Sequence, residues 1–201
     1  MPPGTGGAGG AGGLNCAAAV APPTGNITDF SDYVPATGVW GVPGAIQGRN
    51  FAYAGTPSTA TWTVDTAAGN MHVTGTVQPM GYAGAGVAFD VCATAAAFNA
   101  IQFTISGNLA GCVLELHIQT YSQKPVGEGG GCSAATCRDY PRVANVAAPG
   151  TGITVPFSSM TSWTAAAGME VVGVYWQATV PSGGAACPFD FRIDDLRFVT
   201  Q

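Results

Sequence analysis

A 201-residue chain with net charge −5, 8% charged residues and six basic side chains has no basic footprint for a nucleic acid or an anionic membrane surface. Its length suits one domain with a real hydrophobic core, and no apolar run reaches the ~20 residues of a membrane-spanning helix. Gly, Ala, Thr, Val and Ser dominate, which predicts a strand-and-loop protein whose surface is covered by hydroxyls and amides rather than Lys and Glu.

Residues 1–13 are nearly all Gly, Ala, Pro and Thr, and residues 1–15 read as a flexible linker from another module to a folded domain over 16–201. Met1-Pro2-Pro3-Gly4 lacks the basic start and apolar core of a secretory leader, so a secreted product is expected to have lost it. From Asn26 onward, β-branched and aromatic runs alternate with Gly, Pro and Asn breaks. Strands are predicted near 27–31, 38–41, 50–54, 59–65, 70–77, 85–90, 98–106, 112–121, 151–156, 170–179 and 188–199. Short helix-like pieces are expected at Ala93–Ala97 and Ser158–Trp163, and Gly81–Gly86 as a turn or lining loop. No long segment has a 3.6-residue period. The expected fold is therefore all-β, a jelly-roll β-sandwich of two antiparallel sheets. Two loops are unusually long, 37–49 with Trp40 and 123–150 with Gly127-Glu128-Gly129-Gly130-Gly131, and loops of that length are usually functional or disordered.

Six cysteines in such a chain point to disulfides and an oxidising, extracellular compartment, and none has zinc spacing. Cys132 and Cys137 are expected to bridge locally and pin the long loop. Six cysteines allow 15 connectivities. Cys112–Cys187 is chosen because both flank strand ends that could meet, and Cys16–Cys92 follows by elimination.

Alternation within strands sorts core from surface. Leu114, Leu116 and Ile118 point one way, and Glu115, His117, Gln119 and Tyr121 the other. Ile101, Phe103 and Ile105 oppose Gln102, Thr104 and Ser106; Val172, Val174 and Trp176 oppose Tyr175 and Gln177. Phe189, Phe191 and Ile193 oppose Asp190 and Arg192. If these strands are neighbours in one sheet, Gln102, Thr104, Glu115, His117, Gln119, Tyr121, Tyr175, Gln177, Asp190 and Arg192 form one surface. Amides, a carboxylate, a guanidinium and aromatic rings suit a neutral polyhydroxylated ligand. Trp40, Tyr82, Tyr121, Tyr140 and Tyr175 are the stacking candidates, while Trp62, Trp163 and Trp176 are expected in the core. An acid/base pair of Glu115 with His117, or His117 with Asp190 or Tyr121, is the catalytic alternative. His72 reads as structural. No nucleophile elbow, metalloprotease motif or phosphate loop is present.

The final strand carries the sharpest signal. Phe189, Phe191 and Ile193 lie in one phase and Leu196 and Phe198 in the opposite one, so the phase slips at Asp194-Asp195, as a β-bulge would make it. Two adjacent carboxylates there are easier to tolerate beside a cation, and calcium with Asp29 or Asp32 is the expectation.

These features together resemble the galactose-binding-like jelly-roll carbohydrate-binding modules of bacterial secreted polysaccharide-degrading enzymes. The resemblance spans roughly residues 25–200 and rests on four places. They are Ile27-Thr28-Asp29-Phe30-Ser31-Asp32, the strands around 100–107 and 113–120, Ile153-Thr154-Val155-Pro156-Phe157 with Ser158–Trp163, and the Ile-Asp-Asp-Leu centre of the last strand. It implies a structural calcium at Asp29 and Asp194 or Asp195, although Ser31 stands where an acidic residue is common. It also implies a single β-glucan, xylan or mannan chain held on the concave sheet by Glu115, His117, Gln119 and Tyr121 with Tyr175 and Arg192. No row of exposed coplanar tryptophans for a crystalline surface is evident. A secreted, monomeric binding module follows, with a small glycoside hydrolase or polysaccharide lyase using the same cleft as the alternative, since the fold hosts both.

Overall fold

The computed structural model describes residues 14, 16–41, 45–146 and 150–201, so the linker expectation lies almost wholly outside the described residues. Twelve strands are formed: β1 (Asn26–Thr28), β2 (Val39–Trp40), β3 (Gly48–Ala54), β4 (Thr59–Asp65), β5 (Asn70–Val77), β6 (Tyr82–Ala93), β7 (Ala100–Asn108), β8 (Val113–Thr120), β9 (Arg142–Val143), β10 (Gly150–Pro156), β11 (Val171–Thr179) and β12 (Cys187–Val199). Among the described residues helix is limited to single 3-10 turns. The strands pair into two antiparallel sheets, a jelly-roll sandwich. One runs β2-β3-β6-β11-β8-β9; the other runs β10-β7-β12-β5-β4, with β1 added beside β12.

Each strand buries alternate residues between the layers. Val174, Trp176, Leu114, Leu116 and Ile118 come from one sheet; Phe103, Ile105, Phe191, Ile193 and Phe198 come from the other, and all are fully buried. Trp176 of β11 meets Phe103 of β7 edge-on across the interface, with ring centroids 5.3 Å apart. The phase slip in β12 is a bulge. Asp194 pairs with Thr104 and Arg197 with Gln102, so β12 advances three residues while β7 advances two. Asp195 takes a left-handed φ of 51°, and both Ile193 and Leu196 thereby reach the core.

Three elements differ from expectation. Ala93 closes β6, and the residues after it form a turn rather than a helix. The helix-like segment near Ser158 is the turn Phe157–Ser159, because Pro156 ends β10 just before it. The Gly81–Gly86 run is no loop: from Tyr82 it is strand, extending β6 to twelve residues. The tryptophans also exchange places. Trp40 lies fully buried, edge-on to Phe89 at 5.9 Å, in space that Gly48 leaves open. Trp62 and Trp163 are half-buried at the margins, where core positions were expected.

Disulfides join Cys16 to Cys92, Cys112 to Cys187 and Cys132 to Cys137. Cys112–Cys187 ties the start of β8 to the start of β12 and so links the two sheets. Cys132–Cys137 lies in the loop between β8 and β9. That loop is ordered by main-chain bonds: the Gly131 N–H donates to the Tyr121 carbonyl, Cys132 to Lys124, and Arg138 to Gln123.

Candidate functional site

Strand register places the side chains on the outer face of the β2-β3-β6-β11-β8-β9 sheet in rows. Phe51, Gly86, Tyr175, His117 and Arg142 form one row across β3, β6, β11, β8 and β9. Tyr53, Gly84, Gln177 and Glu115 form the next, and Arg49, Ala88, Gly173 and Gln119 flank the first on its other side. The middle strands contribute no bulk at Gly84, Gly86 and Gly173, so neighbouring side chains can lie flat over them. A Cβ on Gly84 would stand 2.8 Å from the Tyr53 hydroxyl, and one on Gly173 would stand 2.6 Å from the Gln119 amide oxygen. Tyr53 leans across Gly84, and its hydroxyl donates to Gln177 Oε1 at 3.3 Å.

The rings form a continuous platform around Tyr175. His117 stacks on it at 4.5 Å and 13°, Tyr53 meets it edge-on at 5.5 Å, and Tyr140 does so at 6.1 Å. Phe51 lies 6.4 Å away, and Tyr82 extends the row beyond Tyr53 at 6.1 Å. Phe51, Tyr53, Tyr82 and Tyr175 are half-buried, which leaves ring surface open to solvent. Burial pushes the phenols of Tyr53, Tyr140 and Tyr175 well above their usual range, so all three stay neutral hydrogen-bonding groups.

His117 is 6% exposed, with Nε2 3.0 Å from Glu115 Oε2. Burial lowers its pKa, against the opposing pull of Glu115, and Arg142 adds to the depression. The neutral imidazole then carries its proton on Nε2, facing a carboxylate that can only accept, and Nδ1 is left without a partner. Arg142 is itself paired with Asp139 at 3.1 Å, and Arg138 with Glu128. The resulting surface offers a cluster of half-buried aromatic rings beside amide, carboxylate and guanidinium groups.

Of the residues expected on one surface, Glu115, His117, Gln119, Tyr175 and Gln177 are brought together on this sheet. Gln102, Asp190 and Arg192 are not. They sit on β7 and β12, on the outer face of the opposite sheet, because those strands pair with each other and not with β8. There Asp190 bridges His72 at 2.9 Å and Arg192 at 3.5 Å, and Gln102 accepts from Arg197 and donates to Thr154. The possible His117–Asp190 pair is therefore ruled out. Tyr121 follows β8 in a turn with its ring against Gly131 of the disulfide loop, and Tyr140 is buried behind Tyr175 rather than open for stacking. Phe51, Tyr53 and the glycines of β6 were missed. Their signal was the alternation Phe51-Ala52-Tyr53-Ala54 beside Ala83-Gly84-Ala85-Gly86, which puts two rings and two bare positions on one face.

Of the expected calcium ligands, Asp29, Asp194 and Asp195 lie together at the bulge, while Asp32 Oδ2 accepts from the Gly41 N–H at 2.9 Å. Among the described residues no three acidic, imidazole or thiolate side chains gather to hold a metal. Asp29 Oδ1 accepts from the Ser31 amide and hydroxyl at 3.0 and 2.7 Å. Burial raises the Asp194 carboxyl, partly offset by a bond from the Asp195 N–H, with Asp195 and Asp29 adding like charge. A Cβ on Gly69 would lie 2.9 Å from the Asp29 carbonyl oxygen and 4.0 Å from Asp194 Oδ1, so both oxygens border one space that glycine keeps clear. This donor set, a carbonyl with adjacent carboxylates, fits a hard cation.

No protein-family model and no curated protein matches the chain by sequence. Solved structures do. The family 11 carbohydrate-binding module of a cellulosomal cellulase of Clostridium thermocellum aligns with TM-score 0.52 at 12% identity, covering 76% of this chain and 88% of that one. The chain has the fold of that module. A family 11 module from Clostridium thermocellum in complex with a β-1,3-1,4-mixed-linked tetrasaccharide aligns with TM-score 0.54 at 14% identity, covering 80% of this chain and 91% of the other. At such identities the likeness concerns the jelly roll, and the site must be argued from this chain's own residues.

Proposed function

We propose that the protein is a non-catalytic carbohydrate-binding module that holds a single chain of a plant-type polysaccharide, a β-glucan, xylan or mannan, across Tyr175. The observation that carries this reading is the cluster of half-buried rings around Tyr175, with Tyr53 leaning over Gly84, bordered by Gln177, Glu115, Gln119 and Arg142. Pyranose rings present C–H patches that suit aromatic faces and hydroxyls that suit planar amides and carboxylates.

Binding is favoured over hydrolysis by the spacing of acids. Glycoside hydrolysis needs two carboxyl groups about 5–10 Å apart. On the strands of this sheet the carboxylates are Glu115 and Asp90, and Glu115 is level with Gly84. Asp90 stands six residues further along β6, roughly 20 Å at the usual strand rise. The loop acids Glu128 and Asp139 are held by Arg138 and Arg142. Incubation with a polysaccharide panel, read for pull-down and for new reducing ends together, tests the reading. Retention without release is expected; release of reducing ends would overturn it in favour of an enzyme.

Calcium belongs to the same reading. The Asp29 carbonyl and the Asp194 carboxylate, with Asp195 adjacent, would hold it and relieve the like-charge repulsion at the bulge. Calcium is then expected to raise the melting temperature over the chelator-treated protein, and Asp194→Asn to remove the difference. The three disulfides support an extracellular site of action, with the domain monomeric and tethered through its Gly/Ala-rich N-terminal segment.

A further inference from the structure

A groove of about 340 Å³ opens at one end of the sandwich, where the residues before β7, the end of β10 and the residue beyond β12 converge. Its floor is an aromatic stack: Phe157 and Trp163 lie 4.0 Å apart at 16°. Phe157 is buried and abuts Phe198, whose other neighbour is Phe98 on the groove wall. Gly168 presses on the far end of the indole, where a Cβ would stand 3.0 Å from Cζ2. The half-buried indole is thus held in one orientation before any ligand arrives, which lowers the ordering cost of binding.

The rim is polar and carries no charged side chain. Asn99 is fixed by the Gln201 backbone, its Oδ1 accepting the N–H at 2.8 Å and its Nδ2 donating to the carbonyl at 3.5 Å. The Ser158 hydroxyl, the Trp163 indole N–H and the Gln201 carboxamide make no hydrogen bond with the described residues, so donors and acceptors stand free around an aromatic floor. Seven residues line the groove, well short of the ~20–30 per side of a stable protein interface. The volume lies at the small end of ligand sites. With no cationic side chain, the rim gives no hold on phosphate or nucleic acid.

We propose that this groove is a second saccharide subsite, taking one neutral pyranose unit against Trp163, with Asn99, Ser158 and Gln201 bonding its hydroxyls. The inference rests on the glycan-binding reading of the Tyr175 platform, from which the groove is separate. The platform covers the outer face of the β6-containing sheet, while the groove lies at the end of the other sheet. Two sites on one domain engage one polymer, or two neighbouring polymers, with an avidity neither reaches alone.

The test uses the full chain labelled at its tryptophan indoles, titrated with cellohexaose, xylohexaose and mannohexaose and followed by NMR. Trp40 and Trp176 are fully buried, and Trp62, half-buried on β4, is told from Trp163 by the resonance that Trp62→Phe removes. The Trp163 indole resonance is expected to shift in the wild type and equally in Tyr175→Ala, which disables the platform. Ser158→Tyr, at an exposed position filling the groove, is expected to abolish that shift while the melting temperature holds, and to weaken retention on insoluble polysaccharide about tenfold. A Trp163 shift that disappears in Tyr175→Ala would show it to be secondary to the platform and overturn the subsite. A silent Trp163 in a wild type that binds through Tyr175 would overturn the subsite and leave the platform standing. No response anywhere to any of the three sugars would sink both.

Discussion

Replacing Tyr175 by alanine puts the platform under the most direct test. The ring makes its three closest aromatic contacts with His117, Tyr53 and Tyr140, at 4.5, 5.5 and 6.1 Å. At roughly 1 kcal/mol per aromatic pair beyond area burial, discounted because the ring is half open, the deletion should cost about 2–3 kcal/mol of stability. For a domain of this size that lowers the melting temperature by about 5–10 °C and leaves the fold intact at 25 °C. The ligand loses its central stacking surface, worth about 1–2 kcal/mol, so its dissociation constant should rise about 5- to 30-fold. Tyr175→Phe keeps the ring, and the Tyr175 hydroxyl bonds no described group, so this variant should stay within about twofold of wild type in affinity. Calorimetric titration with oligosaccharides, with thermal melts read by circular dichroism, measures both quantities. Wild-type affinity in a folded Tyr175→Ala protein would refute the platform. A Tyr175→Phe loss as large as that of Tyr175→Ala would refute stacking as the source of its affinity.

Arg192→Ala alters only the opposite sheet, and its titration curve on the same oligosaccharides should superimpose on wild type; a loss like that of Tyr175→Ala would mean that the ligand reaches around the sandwich. His117 resists protonation in the folded state, so below its ordinary value of 6.5 the unfolded chain binds more protons and stability falls until the depressed folded value is passed. Melting temperature should decline more steeply between pH 7 and 5 in wild type than in His117→Gln, and equal slopes would contradict the assignment. Opening Cys112–Cys187, whose ends are 75 positions apart in sequence, should cost more than opening Cys132–Cys137, whose ends are 5 apart; loop-closure entropy sets the two at about 4.5 and 2 kcal/mol, and urea midpoints of the paired Cys→Ser variants would show the order.

Period-two alternation made the strands readable, and the phase slip at Asp194-Asp195 located the bulge that lets Ile193 and Leu196 both enter the core. Strand neighbourhood was not readable. Alternation says that Glu115 and His117 share a face, and equally that Asp190 and Arg192 do, but it carries nothing about which strands hydrogen-bond. The long-range pairing of β8 with β11 and of β12 with β7 separated the two groups onto opposite sides of the molecule. Composition misled at β6, where glycines signal turns on propensity grounds. Here they serve close approach, and Tyr53 occupies the space a side chain would have filled. Trp40 misled for a related reason: it is set among glycines and prolines, yet Gly48 admits its indole to the interior.

The bridge from Cys16 to Cys92 has a mechanical consequence. Cys92 belongs to β6, the strand paired between β3 and β11, which carry Tyr53 and Tyr175. Tension applied to the chain ahead of Cys16 passes through sulfur into that strand and reaches the aromatic cluster without crossing the interior between the layers. A domain moored to a fixed fibre and tugged from its N-terminal side would be loaded in shear along its own sheet, the direction in which many backbone hydrogen bonds share the strain.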